Sequence, residues 1–203
     1  MRCILKTRKL LSVLLILLAV SSVVHAQEET VDLYGLGDQT FSISAGTMLP
    51  LFILRFDGTY TGGFTKLSLG ASGSLRWGAF LNNESSIGVD LGAMFALSEL
   101  TRTLIMLPVT AVYSYTMSFY PFELILHAGL GVNFSKLDND LYIGPILKPG
   151  ASFYWNYNGE WSFGLQTEYW FVPEFYFGNS VPVSHNSFAN FLGITLTTLY
   201  HFQ

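Results

Sequence analysis

From Leu67 to Leu97 the chain alternates between greasy positions and small or polar ones. Leu67, Leu69, Ala71, Gly73, Leu75, Trp77 and Ala79 share one face, and Ser68, Gly70, Ser72, Ser74, Arg76 and Gly78 share the other. Beyond Asn82, Asn83 and Glu84 the pattern resumes, with Ile87, Val89, Leu91, Ala93, Phe95 and Leu97 against Ser86, Gly88, Asp90, Gly92 and Ala96. A period of two is the signature of a strand, and asparagine-rich punctuation between two such runs predicts a hairpin.

The same period recurs along the rest of the chain. Phe41, Ile43, Ala45, Thr47 and Leu49 oppose Ser42, Ser44, Gly46 and Met48. The segment 50–64, broken by Asp57-Gly58 and Gly62-Gly63, reads as a loop, although apolar residues before Asp57 can prolong the first strand. After a polar break at 98–102, Leu107, Val109, Ala111, Tyr113 and Tyr115 oppose Thr110, Ser114, Thr116 and Ser118. Tyr120-Pro121 turns the chain into Leu124, Leu126, Ala128, Leu130, Val132 and Phe134, opposite Glu123, Ile125, His127, Gly129, Gly131 and Asn133. A charged loop is expected at 135–140, followed by Leu147, Pro149, Ala151, Phe153, Trp155 and Tyr157 against Lys148, Gly150, Ser152, Tyr154 and Asn156. Asn158-Gly159 is the clearest turn, leading to Trp161, Phe163, Leu165, Thr167, Tyr169 and Phe171 against Ser162, Gly164, Gln166, Glu168 and Trp170. The segment 173–187, rich in Pro, Asn and Ser, reads as a long loop before a last strand with Leu192, Ile194, Leu196, Thr198, Tyr200 and Phe202 on its apolar side. The prediction is an all-β chain of eight antiparallel strands in up-and-down order.

Such a meander closes either as a soluble barrel with an apolar inside or as a transmembrane β-barrel with an apolar outside. Eight strands enclose a space just wide enough for side chains to fill it. The large aliphatic and aromatic residues would overpack that space while the Gly and Ser face met water. Reversed, the small face fits the lumen and the aromatic face is solvated by lipid, so the membrane barrel is the reading adopted. Composition agrees: 12% of residues are charged, against roughly 25–35% on a soluble domain surface.

The first 26 residues do not belong to the barrel. Arg2, Lys6, Arg8 and Lys9 precede an apolar run from Leu10 to Val24, and Val24-His25-Ala26 resembles a cleavage site, so 1–26 reads as a secretory signal removed after Ala26. The only cysteine, Cys3, leaves with it. Losing four basic residues leaves six Lys and Arg against fourteen Asp and Glu, a net charge near −8 that disfavours nucleic acid as a partner. Residues 27–39 read as a periplasmic N-terminal tail and 40–203 as the barrel.

With both termini in the periplasm, the connections at Asn83, Pro121 and Asn158 are short and periplasmic, and most of those at the other end are longer. Trp77, Phe80, Phe119, Trp155, Tyr157, Trp161, Tyr200 and Phe202 then form the periplasmic aromatic girdle, and Phe95, Phe134, Tyr169 and Phe171 the outer one. The strand charges identified (Lys66, Arg76, Asp90, Glu123, Lys148, Glu168) all fall on the small-residue face, with His127, Asn133 and Gln166 as further polar lumen residues. A hairpin centred on Asn83 sets Arg76 opposite Asp90. A three-residue loop of Tyr157, Asn158 and Gly159 sets Lys148 directly opposite Glu168. Two lumen ion pairs are therefore expected, because unpaired charges in a narrow barrel are costly.

The chain resembles the small eight-stranded outer-membrane barrels, such as the transmembrane domain of outer membrane protein A and outer membrane proteins X and W. The resemblance lies in pattern and covers the chain from about Thr40 onward. Tyr200-His201-Phe202-Gln203 looks like the terminal signal read by the barrel-assembly machinery, which the resemblance implies as a biogenesis partner, with outer-membrane lipid as the surroundings and a monomer as the state. The signal departs from its usual form in ending on Gln203, and Thr197 stands where glycine is common. His185 and Ser187 are similar in spacing to the His-x-Ser of lipid A 3-O-deacylases. No Asp or Glu follows Ser187, so an exposed polar loop is preferred and the chain is read as non-enzymatic, with neither cofactor nor metal. The functional expectation is a narrow porin-like conduit for small solutes, suggested by the lumen glycines. Close behind stands a structural or adhesive surface barrel whose loops 50–64 and 173–187 meet a host surface ligand; a deacylase-like enzyme ranks third.

Overall fold

A computed structural model describes residues 34–55, 60–62, 67–97, 103–137, 140–174 and 187–202. Its strands are β1 (Gln39–Arg55), β2 (Tyr60–Gly62), β3 (Gly70–Phe80), β4 (Ser85–Leu97), β5 (Thr103–Phe119), β6 (Phe122–Leu137), β7 (Asp140–Asn156), β8 (Trp161–Glu174) and β9 (Ser187–Phe202). Neighbours in sequence pair antiparallel from β3 to β9, and β1 pairs with both β3 and β9, closing an eight-strand barrel. The short β2 folds back on the upper part of β1, Phe52 opposite Gly62. Both described ends of the barrel chain and the turns at 81–84, 120–121 and 157–160 lie at one end, called here the turn end; the opposite end is the loop end.

The alternation points the way the sequence implies. Leu69, Leu91 and Phe163 are exposed on the outer wall, while Ser42, Ser114, Ser152 and Gln166 are buried inside. The outer wall is apolar, and the pairing of β1 with both β3 and β9 closes the barrel ladder, the two conditions a membrane wall must meet.

The strands run further than apolar alternation suggests. β1 continues through Arg55, β6 ends at Leu137 and β7 begins at Asp140, and β8 and β9 extend to Glu174 and from Ser187. The expected loops 50–64, 135–140 and 173–187 are thus partly strand. Alternation fades where a strand leaves lipid, but ladder hydrogen bonds continue there. One consequence is a strand charge missed in the sequence, Lys136, which is exposed on β6. Prolines leave local marks: the β1–β9 register shifts between Pro50 and Phe52, and β7–β8 pairing skips Lys148 and Pro149. Pro has no N–H to give a ladder, so both sites are places where the wall can bend or loosen.

Small residues let the strands approach one another closely. A Cβ at Gly131 would lie 2.0 Å from the Val109 carbonyl oxygen, and one at Gly46 would lie 2.2 Å from that of Ile194. No side chain fits at either position without moving the neighbouring strand.

Candidate functional site

Among the described residues charge, burial and convergent strands meet in the lumen, which is layered. In the middle layer, β3 and β4 pair Arg76 opposite Asp90, the register expected from a turn centred on Asn83. Arg76 Nε donates to Asp90 Oδ2 at 3.2 Å. On the far wall the register differs from expectation: β7 and β8 pair Gly150, not Lys148, with Glu168. Tyr157 N donates to the Trp161 carbonyl at 3.0 Å, so the loop is Asn158, Gly159 and Glu160, one residue later than the sequence suggested. Asn158 drives the change by accepting from Glu160 N and Trp161 N through Oδ1, at 3.0 and 2.7 Å. The direct pairing of Lys148 with Glu168 is therefore incorrect in register. The ion pair still forms diagonally, with Lys148 Nζ 3.2 Å from Glu168 Oε2.

Two further contacts cross the tube. Lys148 Nζ donates to Asp90 Oδ1 at 2.5 Å, and Arg76 donates to Glu168. Arg76, Asp90, Lys148 and Glu168 thus form a closed ring of alternating sign, two cations and two anions, rather than two separate pairs in the wall. Lys148 and Asp90 are 1% and 0% exposed. His127 Nε2 lies 3.1 Å from Glu168 Oε1, and because a carboxylate only accepts, Nε2 carries the proton. Trp170 Nε1 donates to Glu168 Oε2 at 3.1 Å, and its ring lies 4.8 Å from the Lys148 ammonium.

A second polar layer closes the turn end. Glu123 accepts from Tyr34 Oη and from Asn156 Nδ2, both at 2.8 Å. Ser162 Oγ donates to Asn156 Oδ1 at 2.6 Å and lies 2.9 Å from His201 Nε2, which must then be a donor. Every dipole in this chain points towards the Glu123 carboxylate. Burial and that carboxylate push the Tyr34 phenol up from its ordinary value, so it remains a donor. The supposed tail is therefore folded at its end. Gly37, at φ +94, turns the chain, Gly37 N donates to the Phe80 carbonyl at 2.9 Å, and Phe80 N donates to that of Asp38 at 2.8 Å. Phe80 belongs here and not in the girdle: its position shares a face with Arg76 and Gly78, and it is buried with its ring stacked on Tyr34 at 4.0 Å.

The loop-end half of the lumen holds an apolar cluster beside the buried polar Asn133 and Ser135. Met48, Met94, Met106, Ile146, Trp170, Val172 and Phe191 form one buried cluster. A cavity of about 30 Å³ lies on the turn side of the ring, lined by Ser42, Arg76, Phe80, Ser86, Ser114, Thr116 and Ser152 among others, and another of about 10 Å³ adjoins Ser44, Glu168 and Trp170.

The remaining sequence-derived residues are placed as follows. Gln166 is buried and accepts from Ser152 Oγ at 3.4 Å; Asn133 is fully buried, with neither side-chain atom partnered. Trp77, Phe119, Trp155, Tyr157, Trp161 and Phe202 are exposed near the turn end, with Tyr200 half-buried between Trp161 and Phe202. Tyr169 and Phe171 are half-buried towards the loop end. Ser187 is buried and donates to Glu174 Oε2 at 2.8 Å. Lys66 and His185 lie outside the described residues, as do 1–33, with the expected signal, and most of the loop tips.

A sequence-family model matches residues 21–200. No curated protein sequence matches the chain. Among solved structures, Neisserial surface protein A superposes with a TM-score of 0.60 at 12% identity, over 82% of this chain and 97% of that one. Outer membrane protein OprG from Pseudomonas aeruginosa does so with a TM-score of 0.51 at 15% identity, over 84% and 98%. With its closed antiparallel wall and apolar exterior, the chain shares the fold of these small eight-stranded outer-membrane β-barrels.

Proposed function

We propose that this protein is a sealed outer-membrane barrel that works from its surface rather than through its lumen. The observation carrying this reading is the Arg76–Asp90–Lys148–Glu168 ring, which spans the tube in two directions. A solute crossing it would have to separate buried opposite charges, and beyond them it would meet the buried Trp170 and methionine cluster. The cavities of about 30 and 10 Å³ hold a few waters at most. The name of Neisserial surface protein A, whose fold this chain shares, is consistent with a surface role. The porin-like conduit remains the rival, since the glycines that suggested it do line the inside. Reconstituted into planar bilayers, the protein is expected to give no resolved conductance steps; a steady ohmic conductance under the same conditions would favour the conduit.

The short turns at 81–84, 120–121 and 157–160 support a periplasmic turn end, with the loop end outside the cell. We also infer that the leader is removed after Ala26. Protein isolated from outer membranes should then begin at Gln27, and recovery of Met1 at its N-terminus would refute cleavage. For a deacylase-like activity the described geometry gives Ser187 a carboxylate partner, Glu174, in place of the expected histidine, and His185 lies outside the described residues.

A further inference from the structure

We propose that Tyr34 is a latch that shuts the turn-end mouth of the barrel over a small hydrated chamber. Glu123 is the second residue of β6, one step from the Tyr120-Pro121 turn, yet it is 0% exposed. A carboxylate so near the rim of an open tube would meet water. It does not, because Tyr34 lies across it: the ring stacks on Phe80 at the end of β3, with planes 7° apart, its hydroxyl donates to Glu123 at 2.8 Å, and it lies 5.4 Å from His201 on β9. These three anchors stand on strands that are not adjacent, so the contact exists only when the barrel is closed, and it bridges the mouth as a crossbar does.

A cavity of about 30 Å³ adjoins the seat of the crossbar. Phe80 is part of its lining as well as the surface on which Tyr34 stacks, and Arg76 of the ion ring lines it too. Its wall carries the hydroxyls of Thr40, Ser42, Ser86, Ser114, Thr116 and Ser152, and Thr116 Oγ1 is buried without a protein partner. A polar space of this size has room for about two waters, at roughly 10–15 Å³ each. The chamber is neutral in charge, since Arg76 is already matched by Asp90 and Glu168, so water suits it better than an ion. Among the described residues no salt bridge reaches Glu123, and the latch is what its charge leans on: one of its two hydrogen bonds comes from Tyr34 and the other from the Asn156–Ser162–His201 chain. The chain enters this position through Gly35 and Gly37, with Gly35 N donating to Asp38 Oδ2 at 2.7 Å, so four residues of local turn carry the crossbar to its seat.

Thiol accessibility tests the latch directly, because with Cys3→Ser the chain has no other cysteine. Ser114→Cys reports on the chamber, and Val172→Cys reports on the apolar layer beyond the ring. In proteoliposomes containing refolded full-length protein, an impermeant methanethiosulfonate should label Ser114→Cys slowly when Tyr34 is present. With Tyr34→Ala it should label at least about tenfold faster, which corresponds to roughly 1.4 kcal/mol of lost closure. Tyr34→Phe, which keeps the stack and loses only the hydroxyl, should also label faster than the parent. Val172→Cys should stay unreactive in all three backgrounds. The proposal is overturned if Tyr34→Ala leaves the Ser114→Cys rate unchanged. It is equally overturned if Val172→Cys accelerates in step with Ser114→Cys, since the tyrosine would then be holding the whole barrel together rather than its mouth. Labelling of Val172→Cys with Tyr34 intact would instead count against the sealed ring and leave the latch standing.

Discussion

Replacing Lys148 with methionine is expected to cost about 3–5 kcal/mol of stability, the range for removing one partner of a buried ion pair. The side chain is 1% exposed and is the only cation in contact with Asp90 Oδ1 and Glu168 Oε2 among the described residues. Without it, Arg76 alone must serve two buried carboxylates, and the ring carries a net negative charge at a site nearly closed to solvent. The cost comes mainly from that uncompensated charge rather than from the lost attraction, so removing a second charge should repair it. Lys148→Met combined with Glu168→Gln restores one cation to one anion, and the glutamine keeps a group able to meet His127 and Trp170. The double variant should recover more than half of the loss. Urea titration in lipid vesicles, read from the gel-mobility difference between folded and unfolded barrel, measures both variants. A single variant within about 1 kcal/mol of the parent, the range of an exposed pair, would mean that the ring is solvated and the lumen open.

Placing arginine on the outer wall at mid-height should cost about 2–4 kcal/mol, while the same change near an interface should cost about 0–1 kcal/mol. Leu130 is at the centre of β6 and 65% exposed, with Ala111 and Leu147 beside it on the neighbouring strands. In water such a leucine would be an ordinary surface residue and its replacement by arginine would be harmless or helpful. In lipid the guanidinium must be dehydrated or must draw water into the bilayer. Leu81, 50% exposed at the first turn, is the control. Leu130→Arg and Leu81→Arg should therefore separate clearly in the same urea titration, and equal tolerance of the two would return the chain to the class of soluble barrels.

The ion ring and the apolar outer wall come from different physical sources, and this explains which of them could be read in advance. The outer wall follows from local chemistry. A strand presents alternate residues to opposite sides, so the positions of Leu69, Leu91 and Phe163 declare the oily face without any knowledge of neighbours. The pairing of Arg76 with Asp90 was equally local, because the short turn around Asn83 admits one register that keeps both inward. The β7–β8 hairpin shows the limit of that argument. Two three-residue loops, one residue apart, satisfy the same inward-outward rule, and only the hydrogen bonds accepted by the Asn158 side chain distinguish them.

The girdle teaches a similar lesson. Phe80 looks like its neighbours Trp77 and Phe119 by residue type, but its parity assigns it to the lumen, where it seats Tyr34. Trp170 and the lumen methionines have the inward parity; their size, in an otherwise small-residue face, is the available sign of the buried apolar cluster near the loop end. Glu174 escaped notice because an acid partner for Ser187 was sought after the serine in sequence, and the barrel supplies it from the strand before.

Alternation along the chain by itself determined the strands, their antiparallel order and which residues form the apolar face, since each of these depends only on residues near in sequence. Closure decided the rest. The strands that face each other across the tube, such as β3 with β8 and β4 with β7, are joined by no turn, and the level at which their side chains meet is set by the stagger with which the whole sheet closes. That stagger turned two expected pairs into one ring, and it brought Phe80, Glu123 and His201 close enough for Tyr34 to bridge them.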